Sequence, residues 1–490
     1  MKSLLLRITP RTLMSAYHFA LAFLSTLYYG FPSRRLTVIG VTGTNGKTTV
    51  VQFVSHILEA AGHTVGHVSS VDFKIGSRRW KNELKMTMPG RFFLQRLLRQ
   101  MVNAGCAYAV MEVTSEGIVQ HRHRFINFAV AAITNVTPEH LERHGGFAQY
   151  RAAKGQLFSG IGKRGVASLL RSDALPRSKV TDGVRRGKTR AGVSVINLDD
   201  PNAEYFLQFP ADKTYLYSQN PDAASAIHDL KPAIRDSVSE IRATSASCGP
   251  DGIRFTVDGT AFRLNILGQF NVSNALAAIA IAFSQGIDLP AIARAAATFT
   301  GVPGRMEVVR SEPFTVIVDY AHTPDALEKV YHAIASHSQQ PHHEIATPPT
   351  ASGARNDKKE RRLICVLGSA GGGRDKWKRP EMGKIAARHC DEIILTNEDP
   401  YDENPDGILS EIESGLSQSL LINPHTNIPN YRKILDRHDA IKTALALGRP
   451  GDTVIITGKG AEPWMMGPNS TKIPWDDREI VRDICQESVL

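Results

Sequence analysis

Apolar positions along the 490-residue chain fall into two alternating rhythms. Short β-branched runs read as buried strands: Leu36–Val41, Tyr108–Val113 and Phe128–Thr134. Between them lie stretches with helical spacing, at Thr48–Ala61, which closes at Gly62, and at Phe92–Ala104. Alternating strand and helix predicts a parallel sheet with helices on both faces. Phe255–Leu264 alternates like an antiparallel strand, and Val272–Gln285 and Leu289–Thr298 read as helices. A boundary falls near Phe299–Pro303. Beyond it, Phe314–Asp319, Arg362–Leu367, Glu392–Thr396 and Thr453–Thr457 are short apolar runs that end in polar or Gly-rich turns. They predict a second doubly wound α/β domain, with its active loops at the carboxyl ends of the strands. The chain thus divides into an apolar N-terminal helix (1–35), a doubly wound central domain (36–298) and a Rossmann-like C-terminal α/β domain (299–490). The polar segment 336–361 reads as a flexible surface loop.

Composition narrows the classes. Apolar residues make up 42% and charged residues 22%, ordinary for a folded protein. The net charge of +10 is compatible with polyanionic partners, yet no DNA- or RNA-reading motif accompanies it, so no nucleic-acid partner is expected. None of the five cysteines forms a CxxC pair, which argues against a zinc ribbon or a disulfide framework and for a reducing cytosol. Leu13–Phe31 holds no Asp, Glu, Lys or Arg. A helix of that extent is about 30 Å long, near the thickness of a bilayer core. Ser15, His18, Ser25 and Thr26 dilute it, so packing on the protein's own surface is the leading reading. Contact with a membrane surface through residues 10–31 is the second. A cleaved signal peptide is disfavoured, because export would carry the next motif away from ATP.

That motif is Gly43-Thr44-Asn45-Gly46-Lys47-Thr48-Thr49, placed between a strand and a helix. Its glycines let backbone N–H groups approach phosphate oxygens, and the helix N-terminus favours an anion. Lys47 can reach the terminal phosphates of ATP, and the Thr48 hydroxyl can ligate Mg²⁺. The full GxxxxGK[ST] pattern needs Gly where Val41 stands, so this is a shortened P-loop-type turn; a plain Gly-rich turn is the bland alternative. Glu112 ends a buried strand and is placed to hold Mg²⁺ at the same sheet edge. His140 follows the next strand, and Lys154 lies on the helix after it. Taken alone, these two read as a capping histidine and a surface lysine.

Several separated strings change that reading: VTGTNGKTT (41–49), MEVTSEGIVQHR (111–122), TNVTPEHLERHG (134–145), YRAAK (150–154), LGQFNVSNALAA (267–278), VPGRME (302–307), VDYAHTPDALE (318–328), GGGRDKWKRPEMG (371–383) and TGKGAE (457–462). In this order they resemble the Mur ligases, and most closely the members that add the third residue to UDP-N-acetylmuramoyl-L-alanyl-D-glutamate. The resemblance implies an ATP- and Mg²⁺-dependent amide ligase of peptidoglycan precursor synthesis, cytoplasmic and monomeric. In such an enzyme a substrate carboxylate takes the γ-phosphoryl group and an amine displaces phosphate from the acyl phosphate. It implies a carbamylated Lys154 that shares a Mg²⁺ with His140, and a second Mg²⁺ at Thr48 and Glu112. It assigns Asn271, Arg305, Asp319 and His322 to the nucleotide, and Thr87, Ser115, Gln120 and Arg122 to the acyl acceptor. Arg374, Asp375, Glu398, Asp399, Gly458 and Glu462 fall to the amino acid.

Two departures stand out. Where the diaminopimelate-adding members carry Asp-Asn-Pro-Arg, this chain has Glu398-Asp399-Pro400-Tyr401. Two carboxylates and no arginine suit a basic diamino acid such as lysine. Only about forty residues precede the nucleotide loop, where the family has a uridine-binding domain, so a lipid-linked acceptor at the inner membrane surface stands beside the UDP-linked one. Rival readings are a folylpolyglutamate- or cyanophycin-type ligase, a P-loop ATPase that drives movement, and a catalytically dead binding module.

Overall fold

The computed structural model describes residues 11–161, 192–220, 238–249, 251–338, 361–422 and 429–487. The chain forms two compact units, Met1–Ala246 with Arg254–Leu264 and Asn271–Phe299, and Ser247–Ile253 with Asn265–Phe270 and Thr300–Leu490. Both are α/β units built on largely parallel sheets.

In the first unit the strands are β1 (Thr37–Thr42), β2 (Val65–Val68), β3 (Asp72–Ile75), β4 (Arg78–Lys81), β5 (Tyr108–Glu112), β6 (Phe128–Ile133), β7 (Val193–Asn197), β8 (Lys213–Ser218) and β9 (Val238–Arg242). They form one sheet in the order β4–β3–β2–β5–β1–β6–β7–β8–β9. All neighbours pair parallel except β2–β3 and β3–β4 at one edge. Every residue of β1 is buried, as expected of a strand covered on both faces. Val41 of β1 pairs with Glu112 of β5, and Thr42 pairs with Ile133 of β6. This register brings the loops after β1, β5 and β6 to one carboxyl edge, where doubly wound sheets bind ligands. The helices are α1 (Arg11–Tyr28), α2 (Lys47–Ala60), α3 (Arg91–Asn103), α4 (Ser115–Val119), α5 (Leu141–His144), α6 (Phe147–Phe158), α7 (Ala203–Leu207), α8 (Phe270–Ser284) and α9 (Leu289–Ala297).

Helix α1 packs on α3. Two of its polar residues are satisfied within the helix, since the Ser25 and Thr26 hydroxyls both donate to the Ala22 carbonyl at 2.9 Å. Arg99 of α3 grips the carbonyls that follow it, donating to Tyr29 O and Gly30 O at 2.8 Å each. A cation there also complements the helix dipole. Leu13, Tyr17, Leu24, Leu27 and Tyr28 stay exposed. Among the described residues no helix is long and apolar enough to cross a membrane.

The single strand expected at Phe255–Leu264 is two strands. β11 (Gly252–Val257) and β12 (Thr260–Leu264) flank a turn at Asp258 and Gly259, both at positive φ, and β10 (Thr244–Gly249) completes a three-stranded sheet. Only Asp-Gly could have signalled that turn.

The second unit holds β13 (Glu307–Arg310), β14 (Thr315–Val318), β15 (Leu363–Leu367), β16 (Glu392–Leu395), β17 (Asn430–Lys433) and β18 (Thr453–Ile456), in the sheet order β13–β14–β18–β15–β16–β17. β13 alone runs antiparallel to its neighbour. Alternate residues feed two cores. Ile317, Cys365, Leu367, Ile393 and Ile455 pack on helices α10 (Pro324–Ser338), α11 (Lys378–His389) and α12 (Pro405–Ile422). Val316, Val318, Val366, Ile394 and Val454 pack on α13 (Arg437–Leu447) and α14 (Asp477–Glu487).

The expectation of no disulfide meets one correction: Cys365 of β15 is bonded to Cys390, just after α11, with their Cα atoms 6.0 Å apart. The two are 25 residues apart in sequence, and parallel pairing of β15 with β16 brings them together. No short motif carries that signal. The loop expected at 336–361 lies outside the described residues apart from its ends, as does the basic stretch Arg171–Arg190.

Candidate active site

The turn between β1 and α2 has two glycines in backbone states that side chains resist: φ is +146° at Gly43 and +84° at Gly46. A Cβ at Gly43 would lie 1.9 Å from Thr134 Oγ1, and one at Gly46 would lie 2.1 Å from Asn274 Oδ1. Both positions therefore require glycine. Asn135 clasps the turn, accepting from Asn45 N at 2.9 Å and donating to Asn45 O at 3.1 Å. The Thr44 hydroxyl lies 3.0 Å from Tyr150 Oη, and Thr49 is buried one turn into α2. Lys47 Nζ donates to Gly43 O at 3.0 Å and Thr44 O at 2.7 Å, which holds the ammonium over the loop.

Beside this loop stands a set of hard oxygens. Thr48 Oγ1 is 2.9 Å from Ser70 Oγ, and Glu112 accepts from Ser70 N at 2.7 Å. Thr48 and Glu112 are buried. A carboxylate and two hydroxyls next to a phosphate-cradling turn fit Mg²⁺, which prefers few protein oxygens together with phosphate oxygens.

Lys154 is fully buried on α6, donates to Gly43 O at 2.7 Å and lies over the Tyr150 ring. Burial pushes its ammonium well below the usual lysine range, and Lys47 adds to the push; Glu139 opposes it. Disfavouring the charged form favours nucleophilic chemistry at Nζ, a role that buried lysines fill. His140 caps α5 in the left-handed conformation (φ +55°), with Nε2 3.7 Å from Glu139 Oε1. Asn271 accepts at 2.8 Å from Nδ2 of Asn274, the residue that lies beside Gly46.

The expected acceptor residues also gather. Gln120 Oε1 accepts from Arg122 Nη2 at 2.7 Å, and Arg122 donates to Met88 O in the stretch that holds half-buried Thr87. Ser115 Oγ is 3.1 Å from His144 Nε2.

In the second unit the Arg305 guanidinium covers the Tyr320 ring at 4.0 Å. Buried Asp319 accepts from Met306 N at 2.7 Å and Ala321 N at 2.6 Å. Burial raises its pKa, with Arg305 opposing. His322 Nδ1 is 2.8 Å from Tyr320 O. Of the four acids expected around the amino acid, two share a cation: buried Lys459 donates to Asp399 at 2.9 Å and Glu462 at 2.6 Å. Glu398 differs. It is buried, its Oε2 has no hydrogen-bond partner, and that atom lies 2.7 Å from where a Cβ would stand at Gly458. Arg374 bonds the Tyr401 side chain, and Asp375 is buried nearby in sequence.

Sequence reasoning missed Ser70, Asn135, Glu139, Tyr150 and Asn274. Asn135, Glu139, Tyr150 and Asn274 lay inside strings already singled out. Ser70 follows β2, a strand too short and too interrupted by Gly66 and His67 to be read.

A phosphate-cradling turn, hard oxygens and a buried amine on one sheet edge define an ATP-dependent amide ligase. The chain belongs to the Mur ligase family: the Mur ligase middle domain matches residues 41–188 and 184–282, and the Mur ligase glutamate ligase domain matches 304–347 and 340–460. Relatives include a UDP-N-acetylmuramyl-tripeptide synthetase of Roseiflexus sp., 37% identical over 472 residues, which cover 94% of this chain and 80% of that one. A UDP-N-acetylmuramoyl-L-alanyl-D-glutamate–2,6-diaminopimelate ligase of Gloeobacter violaceus is 37% identical over 471 residues, covering 94% and 79%. A solved structure of a ligase with that same description has a TM-score of 0.55 at 26% identity and covers 93% of this chain and 79% of its own. Mycobacterium tuberculosis folylpolyglutamate synthase shares the fold, with a TM-score of 0.59 at 18% identity over 90% of this chain and 92% of its own.

Proposed function

We propose that this ligase adds a basic diamino acid to a muramoyl-L-alanyl-D-glutamate acceptor in peptidoglycan precursor synthesis. The convergence of Thr48, Ser70 and Glu112 beside the Gly43–Thr49 turn carries the reading. Lys47 and the turn's N–H groups hold the phosphates of ATP. Thr48 and Glu112 would hold one Mg²⁺, and His140 with a carbamylated Lys154 a second; bound there, the metal neutralises charge on the transferring phosphoryl group. Carbamate formation joins the free Lys154 amine to CO₂ with loss of a proton, and the burial that lowers the lysine's basicity supports it. Asn271, Arg305, Asp319 and His322 serve the nucleotide, and Thr87, Ser115, Gln120 and Arg122 position the acceptor carboxylate for attack.

Lysine is favoured over diaminopimelate, because Glu398 offers an unpartnered buried carboxylate oxygen and Tyr401 replaces an arginine. Arg374, Asp375, Asp399, Gly458 and Glu462 shape that pocket. The nucleotide-binding domain spans 36–298 and the amino-acid domain 299–490, and the enzyme works as a monomer in the cytoplasm. The apolar outer face of α1 supports a place at the inner membrane surface and a lipid-linked acceptor. A phosphate-release screen of amino acids against UDP-linked and lipid-linked acceptors tests this. Faster turnover with meso-diaminopimelate would sink the lysine preference. Full activity on a UDP-linked acceptor after removal of residues 1–30 would sink the lipid link.

A further inference from the structure

Behind the amino-acid residues of the second unit lies an ion pair closed off from solvent. Arg437, in the first turn of α13, and Asp477, at the start of α14, both have fully buried side chains. The pairing is bidentate: Arg437 Nε donates to Asp477 Oδ1 at 2.9 Å and Nη2 to Oδ2 at 2.8 Å. Asp436 caps α13 by accepting from Asp439 N at 3.0 Å, which fixes the turn that carries Arg437. Trp475 Nε1 donates to Asp477 Oδ1 at 2.8 Å and steadies the carboxylate.

The guanidinium has donors left over, and they reach two loops. Nη2 also donates to Thr457 O at 2.8 Å, and Nη1 donates to Asn397 O at 3.3 Å. These carbonyls stand immediately before Gly458 and Glu398, one just after β18 and the other just after β16. In the sheet β15 lies between those two strands, so no ladder joins them and sets the gap between their loops. Yet Glu398 Oε2 comes within 2.7 Å of where a Cβ would stand at Gly458. After Asp477, the charges that Arg437 faces are Glu398 and Asp399. Stability does not account for such a pair. Taking both charges out of water costs about as much as their attraction returns, and apolar side chains of the same volume commonly pack as well. What apolar groups cannot supply is a rigid planar fork that donates in several fixed directions at once.

We propose that Arg437 and Asp477 are positioning residues for the amino-acid pocket: the pair sets the spacing of the loops at 397–399 and 457–459, and with it the place of the Glu398 carboxylate. Both side chains are fully buried, so they act through the loops and not on the substrate. That this pocket takes the amino acid rests on the reading given above; the clamp on the two loops does not.

The test exchanges the pair for apolar side chains, Arg437→Met with Asp477→Leu, in the full chain. Amide hydrogen exchange, read by mass spectrometry, should quicken about tenfold or more in the loops at 397–399 and 457–459 and keep the parent rate in β14 and β15. Steady-state kinetics should show the KM for lysine raised about tenfold or more, with kcat, the KM for ATP, the KM for the acceptor and the melting temperature unchanged. Arg437→Lys keeps the charge and loses the fork, so it should loosen the same loops, and it decides the matter if the double variant does not fold. Parent exchange rates in both loops of a folded variant overturn the proposal, as does exchange that quickens evenly through the second unit. An unchanged KM for lysine in a variant with loosened loops also overturns it, provided that Glu398→Gln raises that KM. If Glu398→Gln leaves the KM for every amino acid unchanged, the pocket reading fails while the exchange measurement still decides the clamp.

Discussion

The Lys154 ammonium nitrogen donates to the Gly43 carbonyl across 2.7 Å, although the two residues stand 111 positions apart. This bond ties α6 to the nucleotide turn and holds a lysine stripped of water beside it. Replacing Lys154 with Met keeps the volume and removes the amine. Turnover is expected to fall by at least about a hundredfold, the scale of losing an electrostatic group at a phosphoryl-transfer site. Nucleotide binding should change little. Enzyme equilibrated with ¹³C-bicarbonate should give a carbamate carbon signal that the variant lacks. A wild-type spectrum without that signal would refute the carbamate.

The two loop glycines offer a graded test. Gly46→Ala puts a Cβ on Asn274 Oδ1 and demands a strained φ of +84°, so ATP affinity should drop about tenfold or more. Adding Asn274→Ala removes the contact while the backbone strain stays, and should restore part of that affinity. By comparison, Gly62 has a similar φ of +86° with nothing near its Cβ position, so Gly62→Ala should cost stability without touching ATP binding. Equal ATP affinity in Gly46→Ala and the parent would contradict the account of the turn.

Amino-acid choice should turn on Glu398. Glu398→Gln removes a buried negative charge, and is expected to raise the KM for lysine about tenfold. Tyr401→Arg should lower the KM for diaminopimelate, because a guanidinium pairs with its distal carboxylate. Steady-state kinetics with both amino acids checks this; an unchanged ratio of the two in both variants would count against the pocket.

Acid should unfold the first unit through His123. This side chain is buried, its Nδ1 has no partner, and burial with Arg124 beside it holds its pKa down to about 3. The charged form is therefore disfavoured in the folded state, and the unfolded chain takes up the proton first. Stability is full above about pH 6.5 and falls as pH drops toward 3, by on the order of 5 kcal/mol. Asp72, held down to about 2 by His67, Ser69 and Arg79 against the cost of burial, adds a further loss below about pH 4. His123→Phe should flatten the slope between pH 6.5 and 4 in denaturant melts.

The nucleotide turn is legible in the sequence alone, because a glycine–lysine–threonine turn is a local property of the chain. The buried strands were legible for the same reason, from the β-branched runs of β1, β5 and β6. Contacts made by topology were not. Ser70 reaches Glu112 only because β2 lies beside β5, and Cys365 reaches Cys390 only through the pairing of β15 with β16. Neighbouring charges were equally hidden. Nothing in the sequence shows that Lys459 lies between Asp399 and Glu462.

The central claim is that hydrolysis of ATP here is coupled to amide formation. Phosphate release should therefore be measured with purified full chain, ATP and Mg²⁺, adding a muramoyl-L-alanyl-D-glutamate acceptor and lysine separately and then together. The account predicts phosphate release, with an equal amount of acceptor extended by one residue, only when both are present. Release that proceeds with neither, or that yields no extended product, would contradict it.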